Sequence, residues 1–78
     1  MHDYTICNEA DSALFRRQCD ALKRKIAGLK EKNYLEDVDG TEIQVYTHPL
    51  GEVTVKNDCQ VGALYVGSDF DLMPFFRV

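Results

Sequence analysis

The chain has 78 residues, a formal net charge of −4 and a mean hydropathy of −0.31, which is the composition of one small folded domain, residues 1–78. A chain of this length buries only roughly 60–70% of its unfolded surface, so a core and a deep substrate cavity compete for residues, which disfavours an enzyme. No apolar run approaches the roughly 20 residues that span a bilayer, and the N-terminus lacks a signal-peptide pattern, so no membrane association is expected.

The first predicted element is a helix over about residues 9–32. Asn8 and Asp11 mark its start, because each side chain can accept the amide hydrogen bonds that a first helical turn leaves free. An apolar residue then recurs at spacings of 4, 3, 4 and 3, at Phe15, Cys19, Leu22, Ile26 and Leu29. This spacing gathers the five side chains into one stripe, which predicts an amphipathic helix that ends near Asn33.

Beyond residue 40 the apolar period changes from 3.6 to 2, which predicts strands at about 41–47, 52–56 and 60–66. The string "HPLG" separates the first two strands, and we expect it to form a three-residue bulged hairpin loop. A loop of that length sets Val45 opposite Val55 on the same face of the sheet.

A second three-residue loop, at "NDC", would place Val61 beside Val55 in the next hairpin. The predicted inner face of the sheet then consists of Ile43, Val45, Val53, Val55, Val61, Ala63 and Tyr65. The third strand is also apolar on its other face, at Leu64 and Val66, so we expect another segment to cover the back of the sheet there.

The C-terminal tail supplies that segment and is the most apolar part of the chain. Five of its residues are large and apolar: Phe70, Leu72, Met73, Phe75 and Phe76. Two outcomes are open, because the tail can add a fourth strand at about 70–76 or cover a partner. Interfaces favour Phe and Met, so we predict that these five residues, with Leu64 and Val66, form a partner-binding surface.

Positive charge is concentrated in the helical segment, residues 14–32, which holds seven of the nine basic side chains. The stretch from Ser12 to Lys32 sums to +5, and the rest of the chain sums to −9. The basic side chains are spread around the whole polar arc of the helix, so we expect acids elsewhere in the molecule to compensate them. Nucleic-acid binding through Arg16, Lys23 and Lys30 is the alternative.

No pattern of reactive side chains predicts a catalytic residue, a metal site or a cofactor. The string "DVDGT" spells the nucleophile motif of haloacid dehalogenase-like phosphatases, but no apolar strand precedes it, so we interpret it as a turn. His2 and His48 lie far apart without metal-ligand spacing. The three cysteines are widely spaced, which predicts free thiols in a reducing cytoplasm; a Cys7–Cys59 disulfide is the alternative.

These observations predict an α+β fold in which one N-terminal amphipathic helix packs on a three- to four-stranded antiparallel meander. The predicted function is that of a non-enzymatic protein-binding module, a regulator or inhibitor of a larger protein, or a homodimer that binds a second copy of itself. Very small acidic cytoplasmic proteins of this kind are common in phages and mobile elements, so an origin there is suggested by analogy of fold and size. A nucleic-acid-binding protein that uses residues 14–32 is the second hypothesis.

Overall fold

The computed structural model describes residues 2–76, and these form an α+β structure with one main helix and a five-stranded antiparallel sheet. The elements in chain order are β1 (His2–Cys7), α1 (Ser12–Lys25), β2 (Lys30–Glu36), β3 (Glu42–His48), β4 (Gly51–Asp58), β5 (Ala63–Ser68) and the short α2 (Met73–Phe76). The strand order across the sheet is β1-β5-β4-β3-β2. The predicted α+β class is confirmed, whereas the sheet has five strands and a strand precedes the helix.

Helix α1 begins and ends at recognisable signals. Asp11 is the N-cap, and its side chain accepts a hydrogen bond from the backbone N–H of Leu14 at 3.0 Å. At the other end the N–H of Ile26 still donates to the carbonyl of Leu22 at 2.9 Å, although Ile26 itself is extended. Gly28 follows at φ +85°, a left-handed conformation that glycine adopts without strain, and the chain turns into β2.

The helix is therefore shorter than the predicted span of 9–32, and its last predicted turns form strand β2 instead. Leu29 explains the error, because it is buried after the turn just as it would be in a continuing helix, at 9% exposure. Spacing alone does not separate these two geometries. No helix within residues 2–76 is long and apolar enough to cross a membrane.

The hairpin between β3 and β4 differs from the predicted register by one residue. His48 pairs with Gly51, so the loop contains two residues rather than three, and Tyr46 lies opposite Val53. A shift of one residue turns every side chain to the other face of a strand. The expected pair of Val45 with Val55 is wrong, and Gln44 lies opposite Val55.

The hairpin between β4 and β5 differs in the opposite sense, because its loop is longer than the predicted three residues. Asp58 pairs with Ala63, and Val55 pairs with Val66 rather than with Val61. Val61 lies at the tip of this loop and is 73% exposed. The buried apolar side chains of the three central strands are accordingly Tyr46, Val53, Val55, Leu64 and Val66.

The two edge strands, β1 and β2, were not predicted. β1 pairs only with β5, and β2 pairs only with β3, each with an irregular register within the strand. All seven residues of β2 are exposed, so no apolar alternation marks it in the sequence. Since β1 and β2 lie at opposite edges, the segment that contains α1 crosses the sheet between them.

The core joins α1, the sheet and the tail. Ten apolar side chains are buried in it: Phe15, Leu22, Ile26, Leu29, Tyr46, Val53, Val55, Leu64, Val66 and Leu72. Leu72 belongs to the tail, and its backbone N–H donates to the Tyr4 hydroxyl at 3.0 Å. The tail continues into α2 rather than forming the fourth strand that was one alternative for residues 70–76.

Candidate functional site: a groove between the helix and strands β2 and β3

A groove of about 460 Å³ lies between α1 and the strands at one side of the sheet. Helix α1 packs mainly against β4, and the groove lies on the side of the helix where β3 and β2 follow β4 in the sheet. The helix contributes one wall, Phe15, Arg16, Cys19 and Asp20. The strands contribute the other wall and the floor, Glu31, Tyr34, Glu42, Gln44 and Tyr46.

A buried carboxylate is fixed within this groove. Glu42 is 5% exposed, and its two carboxylate oxygens accept hydrogen bonds from the Tyr34 hydroxyl at 3.0 Å and from the Asn57 side-chain amide at 3.3 Å. The carbonyl oxygen of the same Asn57 side chain accepts from the backbone N–H of Asp11 at 2.9 Å. This chain of hydrogen bonds connects the start of α1 with β4, β3 and β2, and it holds the Glu42 carboxylate in place.

Aromatic rings accompany the carboxylate. Phe15 on the helix and Tyr34 on β2 have ring centroids 6.4 Å apart at an interplanar angle of 54°. Tyr46 on β3 is 1% exposed and supplies a third ring. Phe15 is buried as well, so of the three rings Tyr34, at 51% exposure, is the one that presents aromatic surface beside the carboxylate.

Cys19 and Tyr46 both line the groove, and each side chain influences the pKa of the other. Burial is the main cause that raises the pKa of Cys19, and the carboxylates of Asp20, Glu42 and Glu31 raise it further. Burial, followed by Cys19 and the carboxylates of Glu31 and Asp20, raises the pKa of Tyr46 as well. A raised thiol pKa is the reverse of what activates a cysteine nucleophile, so Cys19 is a packing residue of the groove.

The neighbouring phenol of Tyr34 responds to the same negative charge. Loss of hydration is the first cause that raises its pKa, followed by the hydrogen bond and the charge of Glu42, while Arg16 lowers it. Tyr34 is therefore protonated at neutral pH and remains a hydrogen-bond donor to Glu42.

Within the described residues, two basic side chains form ion pairs with acids of other elements. Lys23 of α1 lies 2.9 Å from Glu31 of β2, and Lys32 of β2 lies 2.6 Å from Glu52 of β4. These pairs are half exposed, so each stabilises the fold by about 1 kcal/mol or less. They are contacts of the kind expected if the basic segment is compensated within the molecule.

The predicted partner-binding residues of the tail are divided between the core and the surface. Leu72, Leu64 and Val66 are at most 1% exposed, so they are not available on the surface of this chain. Met73 is 46% exposed, and the side chain of Phe76 lies outside the described part of the structure.

The two remaining tail aromatics, Phe70 and Phe75, are half-buried around His48. The ring of His48 lies 4.9 Å from that of Phe70 and 5.8 Å from that of Phe75. The Nε2 atom of His48 contacts the carbonyl of Ala27 at 2.9 Å, and its Nδ1 accepts from the N–H of Leu50 at 3.1 Å. These contacts connect the tail to the end of α1 and to the β3–β4 loop.

The three residues of the nucleic-acid alternative lie on two elements. Arg16 lines the groove, Lys23 is paired with Glu31, and Lys30 belongs to β2 rather than to the helix. The residues therefore do not form one helical face.

The remaining reactive side chains do not assemble into a metal centre. Among residues 2–76, no group of three histidine, cysteine, aspartate or glutamate side chains could hold a metal ion. Cys7, Cys19 and Cys59 are free thiols, so the alternative Cys7–Cys59 disulfide is not formed.

The groove was not foreseen from the sequence, although one signal of it was present. In "TEIQVYT" the residues Glu42, Gln44 and Tyr46 alternate with Ile43 and Val45, and the predicted register turned the polar set towards solvent. A two-residue loop turns the polar set towards the helix instead.

Comparison of the chain with protein-family models, curated proteins and solved structures finds no match.

Proposed function

We propose that this chain is a small non-enzymatic protein-binding module, a regulator or inhibitor of a larger protein, and that the groove between α1 and strands β2 and β3 receives the partner. The observation that carries the proposal is the groove itself, where the exposed Asp20 and the half-exposed ring of Tyr34 lie beside the buried carboxylate of Glu42.

Two features support protein binding over catalysis. The carboxylate of Glu42 is held by two hydrogen bonds, and the thiol of Cys19 is kept protonated by burial, so neither is prepared for proton transfer or nucleophilic attack. Aromatic side chains with a polar rim are the composition of protein-binding surfaces. The three free cysteines suit a reducing compartment, and the proposal includes a cytoplasmic location.

The groove can be tested by reversing one charge at its rim. Asp20 is an exposed groove residue on α1, and Asp20→Arg introduces a long cation there while arginine keeps a high helix propensity. Asp3→Arg makes the same charge change on β1, at the opposite edge of the sheet, and is the matched control.

Each of the three proteins is immobilised and exposed to lysate of the native host, and retained proteins are identified by mass spectrometry. A captured protein is then purified, and its affinity is measured by calorimetry. We expect a partner that binds the wild type and Asp3→Arg alike but loses affinity at least about tenfold for Asp20→Arg. Equal affinity for all three proteins would exclude the groove as the binding site.

Nucleic-acid binding remains the second candidate because part of the positive charge lies outside the ion pairs. Arg17, Arg24 and Lys25 on α1 are exposed, and none takes part in the salt bridges among residues 2–76. These side chains would contribute a salt-dependent, sequence-independent affinity for phosphate.

A further inference from the structure

The face of the sheet that points away from α1 is partly apolar. On β3 the groove residues Glu42, Gln44 and Tyr46 point towards α1. Because side chains alternate along a strand, Ile43 and Val45 point to the opposite face. Both are partly exposed, and neither is among the side chains that pack against the core. Strand β3 therefore buries a glutamate beneath the helix and leaves two β-branched aliphatic side chains open.

Cross-strand partners extend this open face to the neighbouring strands. Ile43 lies between Leu35 of β2 and Lys56 of β4, and Lys56 lies next to Tyr65 of β5. Leu35 is 58% exposed, and the Lys56 ammonium lies 6.0 Å from the centre of the Tyr65 ring. The next row contains Asn33, Val45, Thr54 and Gly67, and we call the eight positions of both rows the outer face. A sheet face that stays in water ordinarily carries polar side chains, so the three aliphatic ones here favour a covered face.

Charged groups on and beside the outer face are already paired within the chain. Lys56 lies 3.5 Å from Asp58, and Lys32 lies 2.6 Å from Glu52, which is opposite Thr47 on the same face. Each pair brings one charge of either sign, so two outer faces can approach without net repulsion between these groups. None of the four side chains would be removed from water without its partner. A surface with balanced charge suits an identical surface better than a strongly charged partner.

The sheet is large enough for a weak dimer. Five strands of six to eight residues, about 4.8 Å apart and with a rise of about 3.3 Å per residue, present roughly 500 Å² in plan. Two such faces bury about 1,000 Å² together, which is near the lower limit for a specific interface. We therefore expect a dissociation constant between about 10 µM and 1 mM.

We propose that the outer face binds a second copy of this chain, with the two sheets face to face and a twofold axis parallel to the strands. Asp3 lies opposite Gly67 at the β1 edge of this face, and Lys30 lies opposite Thr47 at the β2 edge. The parallel axis sets β1 of one copy over β2 of the other, which brings Asp3 of each copy near Lys30 of the other. An axis across the strands would instead set β1 over β1 and β2 over β2, with like charges at each edge. The groove is on the other face of the sheet, so this inference does not rest on the proposed function.

Sedimentation equilibrium of the full chain, at physiological salt and with reductant because Cys59 is an exposed thiol, tests the inference. Val45→Lys puts a cation in the middle of the outer face. Val61→Lys makes the same change at the tip of the β4–β5 loop, where Val61 is 73% exposed, and is the matched control. We expect Val45→Lys to weaken the dimer at least about tenfold and Val61→Lys to change its affinity less than about twofold. Circular dichroism should show both variants folded, because neither side chain packs in the core.

The two edge charges provide a second test. Lys30→Glu and Asp3→Lys should each weaken the dimer about threefold, because each sets like charges against each other, and the double variant should recover wild-type affinity within about twofold. A wild-type chain that stays monomeric up to about 1 mM, or equal effects of Val45→Lys and Val61→Lys, would overturn the inference. So would a double variant that dimerises more weakly than both single variants. If the chain is monomeric and a captured protein is lost in Val45→Lys, a different partner covers the face and the inference fails.

Discussion

Substitution of Leu72 tests whether the tail is part of this chain's own core. Leu72 is 0% exposed, whereas Met73, the next residue, is 46% exposed, so the two positions form a matched pair on one short segment. Leu72→Ala leaves the backbone hydrogen bond to the Tyr4 hydroxyl in place and removes only buried apolar contacts.

The expected cost of Leu72→Ala is about 2–5 kcal/mol, the range for a buried leucine replaced by alanine. A chain of 78 residues has a total stability of about 4–12 kcal/mol, so the change removes a large part of it. At about 4–8 °C per kcal/mol for a domain of this size, the unfolding midpoint should fall by roughly 8–40 °C. Met73→Ala should cost about 1 kcal/mol or less.

Thermal and urea unfolding, both followed by circular dichroism, measure the two variants beside the wild type. Equal midpoints for Leu72→Ala and Met73→Ala would contradict the burial of the tail. If Leu72→Ala instead keeps the wild-type midpoint and loses an oligomeric state seen by light scattering, the tail is a partner surface, as the sequence alone predicted.

Three further predictions concern the helix, the acid side of the stability profile and the basic segment. Leu22 is 0% exposed on α1, so Leu22→Ala should cost about 2–5 kcal/mol, and an unchanged midpoint in thermal unfolding would mean that the helix docks elsewhere. Hydrogen bonds from backbone N–H groups of the following loop lower the pKa of Asp58 in the folded state. This carboxylate therefore stabilises the protein above about pH 4, and its contribution is lost as the pH falls through the folded pKa. The free energy of unfolding, measured in urea, should therefore depend less steeply on pH below about pH 4 in Asp58→Asn than in the wild type. An unchanged slope would refute this. Because ion pairs compensate part of the basic segment, fluorescence anisotropy should detect no DNA or RNA binding at physiological salt; salt-dependent binding lost in Arg16→Glu with Lys23→Glu would establish the second hypothesis.

The candidate groove shows why the site could not be read from the sequence. Its residues come from α1, β2 and β3, and β2 has no apolar alternation because every residue of that strand is exposed. Glutamate is nearly always a surface residue, and the burial of Glu42 is stabilised by the hydrogen bonds from Tyr34 and Asn57. No local pattern encodes that arrangement.

The sequence by itself determined the elements whose signal is local. The 3.6-residue stripe from Phe15 to Ile26 predicted the central part of the helix, since one turn of helix specifies which side chains share a face. Alternation in period 2 predicted β3, β4 and β5, and together these patterns predicted the α+β class.

Only the tertiary structure decided which face each strand presents, where the helix ends and what forms the edges of the sheet. A two-residue loop after His48 and a three-residue loop are both compatible with the local sequence, but burial of Tyr46 beside Val53 beneath the helix selects the shorter one. Likewise Leu29 is buried either in a helix or after the turn at Gly28, and pairing of β2 with β3 selects the turn. These choices depend on contacts between residues distant in the chain, because a one-residue change in register costs little locally and yet exchanges the buried and exposed faces of a whole strand.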